Sequence, residues 1–443
     1  MHEEFYINVK DLAEMFVNSL DGTPVKIAVS PTNDCIKSAA ILVYALIQKG
    51  IKFVLETTKM FEVDNIKSYE SNYNVFVFLI IDQDGVKLYG KKIKDKTIIV
   101  IGLSNQGINY QLNGITLPVA TYIFCKNLCD MHEISHIAVL SLAKSEIVGP
   151  NKEVFNDAVN NEKIIVEKGI TAFSMQTQPI VKAIAGSLWP YIPGITGDED
   201  QAINFLKETG VDTKNVDGSY RRLIDLNDNE ANKIIAGILL KRLGGSDEEL
   251  IFDDIFLLKN EGGITNDAKE FNLLIDCCVK FSKYSLAIGA CLGGRLARTE
   301  ALQLLYVYKY DLLQALQWFS KNKNGNRVFE QKEFVVIQSE ENIKDIYLSD
   351  FLRIISKSNM YPDGKILIGM ARASEDTLIG VSVGSHKEGI PLIKDAIKGA
   401  GYTITEDNND GISMLVPQEK ETEFIKTLQN ALTKQFIEAK VLD

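Results

Sequence analysis

Apolar and polar positions alternate between two textures along the first 150 residues. Short runs rich in Val, Ile and Phe occupy Val25–Ser30, Lys52–Glu56, Val75–Ile81 and Thr97–Ile101. Between them lie stretches at helical spacing, such as Cys35–Lys49 with Ala39, Ala40, Leu42, Val43 and Leu46 on its apolar positions. Near-continuous apolar strands separated by helices predict a parallel sheet covered on both faces. From about Asn151 to Gly325 the pattern turns overwhelmingly helical. There Arg298–Lys321 carries Leu302, Leu305, Val307, Leu312, Leu313, Leu316 and Phe319, the spacing of one helix about 36 Å long, of a kind that usually bridges domains. Past Asn326 strand signals return at Glu333–Gln338, Lys365–Ala371, Thr377–Val383 and Gly411–Pro417, with amphipathic helices near Lys387–Ala400 and Lys420–Lys434. The expected fold is therefore α/β. A parallel-sheet domain spans 1–150, a helical connecting region 151–325, and a smaller α/β domain 326–443.

Composition narrows the function. The 443 residues are 46% hydrophobic and carry a net charge of -11, which argues against broad duplex binding through many neutralised phosphates. A local basic groove stays open. Apolar runs fall short of the roughly 18 residues needed to cross a bilayer. The acidic start Met1-His2-Glu3-Glu4 lacks the basic and apolar regions of a signal peptide. Six cysteines in apolar or helical contexts suit a reducing compartment, so a cytoplasmic location is expected, with no membrane contact.

Two local patterns have plain readings. His132-Glu133-Ile134-Ser135-His136 matches the zinc-protease form His-Glu-x-x-His, with Cys125 and Cys129 just before it. Four ligands from 125 to 136 on one helix would spread over about 16 Å, too wide for one tetrahedral ion. Asp130 and Glu133 have capping-box spacing, and Ile137–Leu140 follows at once, so His136 is expected half-buried against the core. Lys91, Lys92, Lys94 and Lys96 read as a solvated loop, and Cys277 and Cys278 as core packing.

One segment carries a different kind of information. Ile27-Ala28-Val29-Ser30-Pro31-Thr32-Asn33-Asp34-Cys35-Ile36-Lys37-Ser38-Ala39-Ala40 reads as a buried strand, a polar loop and a small-residue helix. It resembles the first motif of the DHH phosphoesterases, the RecJ nuclease superfamily, in which the loop has the form Asp-x-Asp-Gly. The two aspartate positions fall on Asn33 and Cys35, and the glycine on Ile36. Further motifs follow in order. The strand Phe78-Leu79-Ile80-Ile81 places Ile80 at a metal aspartate, and Ile98–Ile101 leads to Gly102-Leu103-Ser104 where the family has Asp-His-His. Ile137–Lys144 resembles the helix of the last metal aspartate, with Lys144 at that position. The segments Phe173–Pro179, Pro190–Gly197, Tyr220–Leu223, Asp267–Phe271 and Ser285–Gly293 are similar to archaeal RecJ-like proteins, so the resemblance covers most of the chain.

The superfamily hydrolyses phosphodiesters with two divalent ions, usually manganese, held by oxygen ligands. Isoleucine, glycine and leucine cannot ligate, asparagine is a weak neutral ligand, and cysteine is too soft. The resemblance thus implies a nuclease-inactive member with no catalytic residues and no cofactor, like the eukaryotic replicative-helicase cofactor of the same fold. It implies GINS and the MCM helicase as partners. Lys144, pointing into the old site, could replace a metal's charge. A register shifted onto Asp34, Asp82 and Asp84 leaves open an active manganese-dependent single-strand exonuclease, of either polarity, or a short-oligonucleotide phosphodiesterase. The last domain resembles the DHH-associated domain that grips single strands, through a Gly-Gly-His turn and an arginine-bearing strand. Here these are Gly384-Ser385-His386 and Arg372, implying weak binding of single-stranded DNA.

Overall fold

The apolar runs form strands β1 (Val25–Val29), β2 (Phe53–Thr57), β3 (Val75–Ile80) and β4 (Thr97–Gly102). The computed structural model describes residues 2–58, 72–80, 96–102, 114–171, 177–242, 251–332, 334–362, 365–382, 390–399, 401–408 and 411–428. The four strands pair in the order β2-β1-β3-β4, all parallel. Every residue of β1 and β3 is buried, the signature of a central parallel strand covered on both faces. The Asn33–Gln48 helix returns from β1. Thr32 caps it by accepting from the Cys35 backbone N–H, and its residues from Cys35 to Leu46 are buried except Tyr44. A helix buried on nearly every side needs covers on several faces. The Leu117–Lys126, Ala268–Lys280 and Tyr284–Cys291 helices supply them.

Those contacts explain a difference from the expected contiguous division at 150 and 325. The chain groups into one unit of Met1–Glu167 with Asp254–Tyr306 and another of Lys168–Asp253 with Val307–Asp443. Helices near residue 280 complete the first unit because the helix after β1 has apolar surface that nearer segments leave uncovered. The middle stretch is also less purely helical than its pattern suggests. Two strands, β5 (Ile164–Ile170) and β6 (Phe252–Leu258), pair with each other. Their outward positions are mixed polar and apolar, so neither run stands out by period.

In the second unit, residues 170–251 close a helical core around Ile180, Ile184, Ile192, Phe205, Leu206, Ile234 and Ile238. The C-terminal stretch forms a six-stranded sheet from β7 (Val328–Glu330), β8 (Phe334–Glu340), β9 (Ile366–Ala373), β10 (Asp376–Ser382), β11 (Ile404–Asn408) and β12 (Gly411–Pro417). Its order is β11-β12-β10-β9-β8-β7, and β8 and β9 pair in parallel. One face carries Val336, Ile368, Ile379, Val381 and Met414 against Ile393, Ile397, Phe424 and Leu428. On the other face Gly369 and Gly380 are cross-strand partners. A Cβ on either would meet Leu352 of the Asp345–Ser356 helix at 2.9 or 2.8 Å. The two glycines make a flat seat on which Leu348 and Leu352 sit. The expected helices near the C-terminus appear as Ile390–Gly399 and residues 421–428, and residues 429–434 lie outside the described residues. The long helix runs from Arg295 to Asn322.

Candidate functional site

Parallel pairing puts the ends of β1, β3 and β4 at one edge of the first sheet. Val29 pairs with Leu79, Leu79 with Ile101 and Ile80 with Gly102. Two of the expected metal positions, Ile80 and Gly102, lie at that edge. Ile80 is 1% exposed and wholly apolar. A Cβ built on Gly102 would collide with the Ile80 carbonyl oxygen, so this backbone leaves no room for any side chain, a carboxylate included. Cys35 is fully buried inside the Asn33–Gln48 helix. Asn33 points elsewhere. Its amide donates to the Asn272 carbonyl at 3.3 Å and to the Asp276 carboxylate, while its Oδ1 is buried without a hydrogen-bond partner. Leu103 and Ser104, with Asp82 and Asp84 of the shifted register, lie outside the described residues.

The charge at this loop comes from a residue of the motif segment that had been given no role. Lys37, one turn beyond Asn33, is fully buried. Its ammonium lies 2.8 Å from Asp34 Oδ1, 2.6 Å from Ser141 Oγ and 3.2 Å from Asn272 Oδ1. An ammonium has three donors, and these are three acceptors. Ser141 in turn donates to Asp34 at 3.3 Å, and the Asn272 amide approaches Asp276 at 3.5 Å. Lys144, by contrast, does not enter this cluster. The expected Ile137–Lys144 helix stops at Val139 and resumes as a 3-10 turn at Lys144–Glu146. Lys144 is more than half exposed and pairs with Asp254 at 3.2 Å. Ser141, three residues earlier, is the member of that segment that reaches the loop.

Sequence reasoning missed Lys37, Ser141, Asn272 and Asp276. A lysine inside the buried run Ile36–Leu46 was the one signal available. The other residues lie more than a hundred positions away along the chain from their partners in the loop.

The donors described do not fit two manganese ions. Hard divalent ions need several carboxylate or carbonyl oxygens turned inward. Here one expected position is isoleucine, one cannot bear a side chain, one is a buried thiol, and a fixed cation already holds Asp34. Among the described residues no three His, Cys, Asp or Glu side chains are grouped to hold a metal.

The His-Glu-x-x-His segment is equally unlike a zinc helix. His132–Ile134 is a 3-10 turn and only Ser135–Val139 is α-helical, so the two histidines do not share one regular helix face. Glu133 pairs with Lys163 at 2.7 Å. His132 is half exposed beside Asp130 and Asn161. His136 is more deeply buried than its pattern suggested, at 8% exposed. Burial, then the Lys163 and Arg298 charges, depress its pKa to about 4.

In the second unit Arg372 lines a cavity of about 90 Å³ with Gln338, Glu340, Met370, Ala371, Thr377 and Glu421. Its guanidinium lies 3.1 Å from Glu421 Oε1 and 3.5 Å from Thr377 Oγ1, and Thr377 also bonds Glu421. The arginine is there, but an internal carboxylate answers its charge. Gly384, Ser385 and His386 lie outside the described residues.

Residues 172–249 match the DHH-CID domain family, the stretch that builds the helical core of the second unit. No curated protein matches the chain in sequence. In three dimensions the chain is similar to CDC45 from Entamoeba histolytica, with a TM-score of 0.62 and 10% identity over 98% of both chains. It is similar to RecJ in complex with Mn2+ from Thermus thermophilus, with a TM-score of 0.52 and 10% identity. That match covers 96% of this chain and 55% of that longer one. An exonuclease RecJ bound to manganese matches at a TM-score of 0.52 and 9% identity, over 96% and 94% of the two chains. The chain has the RecJ-like DHH fold, the fold it shares with CDC45. Among the described residues no helix is long and apolar enough to cross a membrane.

Proposed function

We propose that this chain is a nuclease-inactive scaffold subunit of a replicative helicase assembly, with GINS and MCM as its partners. The observation that carries the reading is the loop after β1. On this reading Ile80, buried and apolar, and Gly102, with no room for a side chain, fall where a two-metal phosphoesterase is expected to have ligands, and a buried ammonium holds Asp34. A polypeptide that has filled its metal edge with apolar packing and a fixed cation has little left to activate water or stabilise a leaving oxygen. The fold-wide likeness to CDC45, over nearly all of both chains, supports the helicase context. Weak single-strand contact would fall to the last domain, where Glu421 competes with phosphate for Arg372.

The likeness to manganese-bound RecJ gives the second reading, a manganese-dependent single-strand exonuclease. One paired experiment separates them. Tagged chain is used to capture GINS and MCM subunits from native cells, beside a manganese nuclease assay on single-stranded DNA. Capture without hydrolysis is the expected result. Hydrolysis abolished by substitutions at Asp34, Asp82 or Asp84 would establish the exonuclease instead.

A further inference from the structure

We propose that the hairpin at residues 213–221, with the Leu223–Asp225 turn beside it, is a surface on which a protein partner docks. The partner it fits offers an apolar cleft with a basic rim. The proposal deepens the scaffold reading and rests on it for the candidate partners, GINS and MCM.

The hairpin is held by its own hydrogen bonds. Lys214 pairs with Tyr220 across it, and the Arg221 N–H donates to the Thr213 carbonyl at 3.0 Å. The Asn215 N–H donates to the Ser219 carbonyl at 2.8 Å and the Gly218 N–H to the Asn215 carbonyl at 2.9 Å, closing a three-residue loop. Gly218, at φ 85°, is the left-handed residue such a loop needs. The polar side chains are tied to one another. Ser219 Oγ donates to Asp217 at 2.6 Å, and the Asn215 amide reaches Ser219 Oγ at 3.1 Å and Asp225 at 3.4 Å. Arg221 donates twice to Glu230, at 2.7 and 2.8 Å, and once to the Asp225 carbonyl at 2.6 Å. At its base the Ile180 N–H donates to the Arg221 carbonyl at 2.9 Å, and Ile180 is fully buried in the helical core.

What this frame turns to water is apolar. Val216 is fully exposed, Ile224 is 89% exposed and Tyr220 55%. A lone exposed aliphatic residue is ordinary. Val216 and Ile224, however, each adjoin one member of the Asn215–Asp225 contact, which draws their two segments together. Valine is also a poor turn residue, where Pro, Asn, Asp, Ser and Gly have conformational reasons to occur, and local rules are broken most often at functional sites. A hairpin already fixed in place loses little conformational entropy when covered, so more of the apolar burial remains as affinity.

The rim decides the class of partner. Residues 212–230 carry five carboxylates against three cations, Lys214, Arg221 and Arg222. Arg221 is spent on Glu230, and the Lys214 ammonium lies 5.1 Å from the centre of the Tyr220 ring. An acidic rim repels a phosphate backbone and complements a basic protein surface.

Labelled full-length chain is titrated with purified GINS and with purified MCM, comparing wild type with Val216→Asp, Ile224→Asp and Tyr220→Ala. Wild type is expected to bind at least one of the two, and each aspartate to weaken that complex about tenfold or more. Val216→Ala and Ile224→Ala, which add no charge, should each weaken it severalfold, and the melting curves of the Val216 and Ile224 variants should superimpose on the wild type's. Asp212→Lys should slow association, and the wild-type complex should weaken as salt rises. Unchanged affinity in both aspartate variants overturns the inference and leaves the scaffold reading standing. Wild-type binding to neither partner overturns both. A dimer of the free chain in sedimentation that the same substitutions dissolve would make a second copy the occupant and overturn the proposal. So would loss of single-stranded DNA binding in variants that keep their protein partner.

Discussion

Replacing His136 with leucine should flatten the chain's stability between pH 7 and pH 5. In the folded protein the imidazole is buried and has Lys163 and Arg298 as cationic neighbours, with Glu133 opposing them weakly. Burial and those charges bring its pKa to about 4, against 6.5 for an unhindered histidine. The unfolded chain therefore takes up a proton between pH 6.5 and 4 that the folded chain refuses, and stability rises with pH across that window. The stabilising contribution is complete above 6.5 and is lost as pH falls towards 4. The full shift corresponds to about 3 kcal/mol, and about 2 kcal/mol of it is gone by pH 5. Urea unfolding of wild type and His136→Leu at pH 7, 6 and 5 measures this directly. Groups other than His136 titrate alike in both proteins, so the difference between the two curves isolates it. The baseline will shift with packing, but the slope is the readout. Parallel curves, agreeing within about 0.5 kcal/mol, would refute the reasoning, as would an imidazole NMR titration for His136 centred above pH 6.

Other changes test other parts of the chain. Gly380→Ala places a methyl against Leu352 on the seat of the Asp345–Ser356 helix and should cost about 1–3 kcal/mol in denaturant titration, with Gly369→Ala behaving alike. Asn151 is fully buried, donating to the Gly114 and Glu146 carbonyls and accepting from the Thr116 N–H. Asn151→Leu should therefore lower stability by about 3 kcal/mol or more, and an unchanged urea midpoint would contradict that role. Glu421→Gln removes the carboxylate on Arg372 and should tighten binding of a single-stranded oligonucleotide severalfold at low salt, measured by fluorescence anisotropy. The gain should vanish at high salt and in a double variant with Arg372→Ala. A gain that persists without Arg372 would place the contact elsewhere.

The sequence alone determined the four strands of the first sheet and four of the six in the C-terminal sheet, because buried strands are written in hydrophobic period, which is local; the short edge strands Val328–Glu330 and Ile404–Asn408 carry too little apolar pattern to stand out. It also led to the expectation of a changed metal edge, since the side chains of isoleucine and glycine offer no donor to an ion. The boundaries at 150 and 325 did not translate into the observed units. Period says that the Asn33–Gln48 helix is apolar, not that helices near residue 280 come back to cover it. Lys144 illustrates the same limit: its expected place depended on a helix continuing past Val139, and the turn there sends it to Asp254 while Ser141 faces the loop. Only the tertiary structure decided which cation belongs to the pocket. Lys37 is an ordinary letter in a helix, and its meaning comes from Ser141 and Asn272, brought to it over 104 and 235 positions. Contacts at that separation are selected by complementary surfaces in the folded chain, and no neighbouring residue records them.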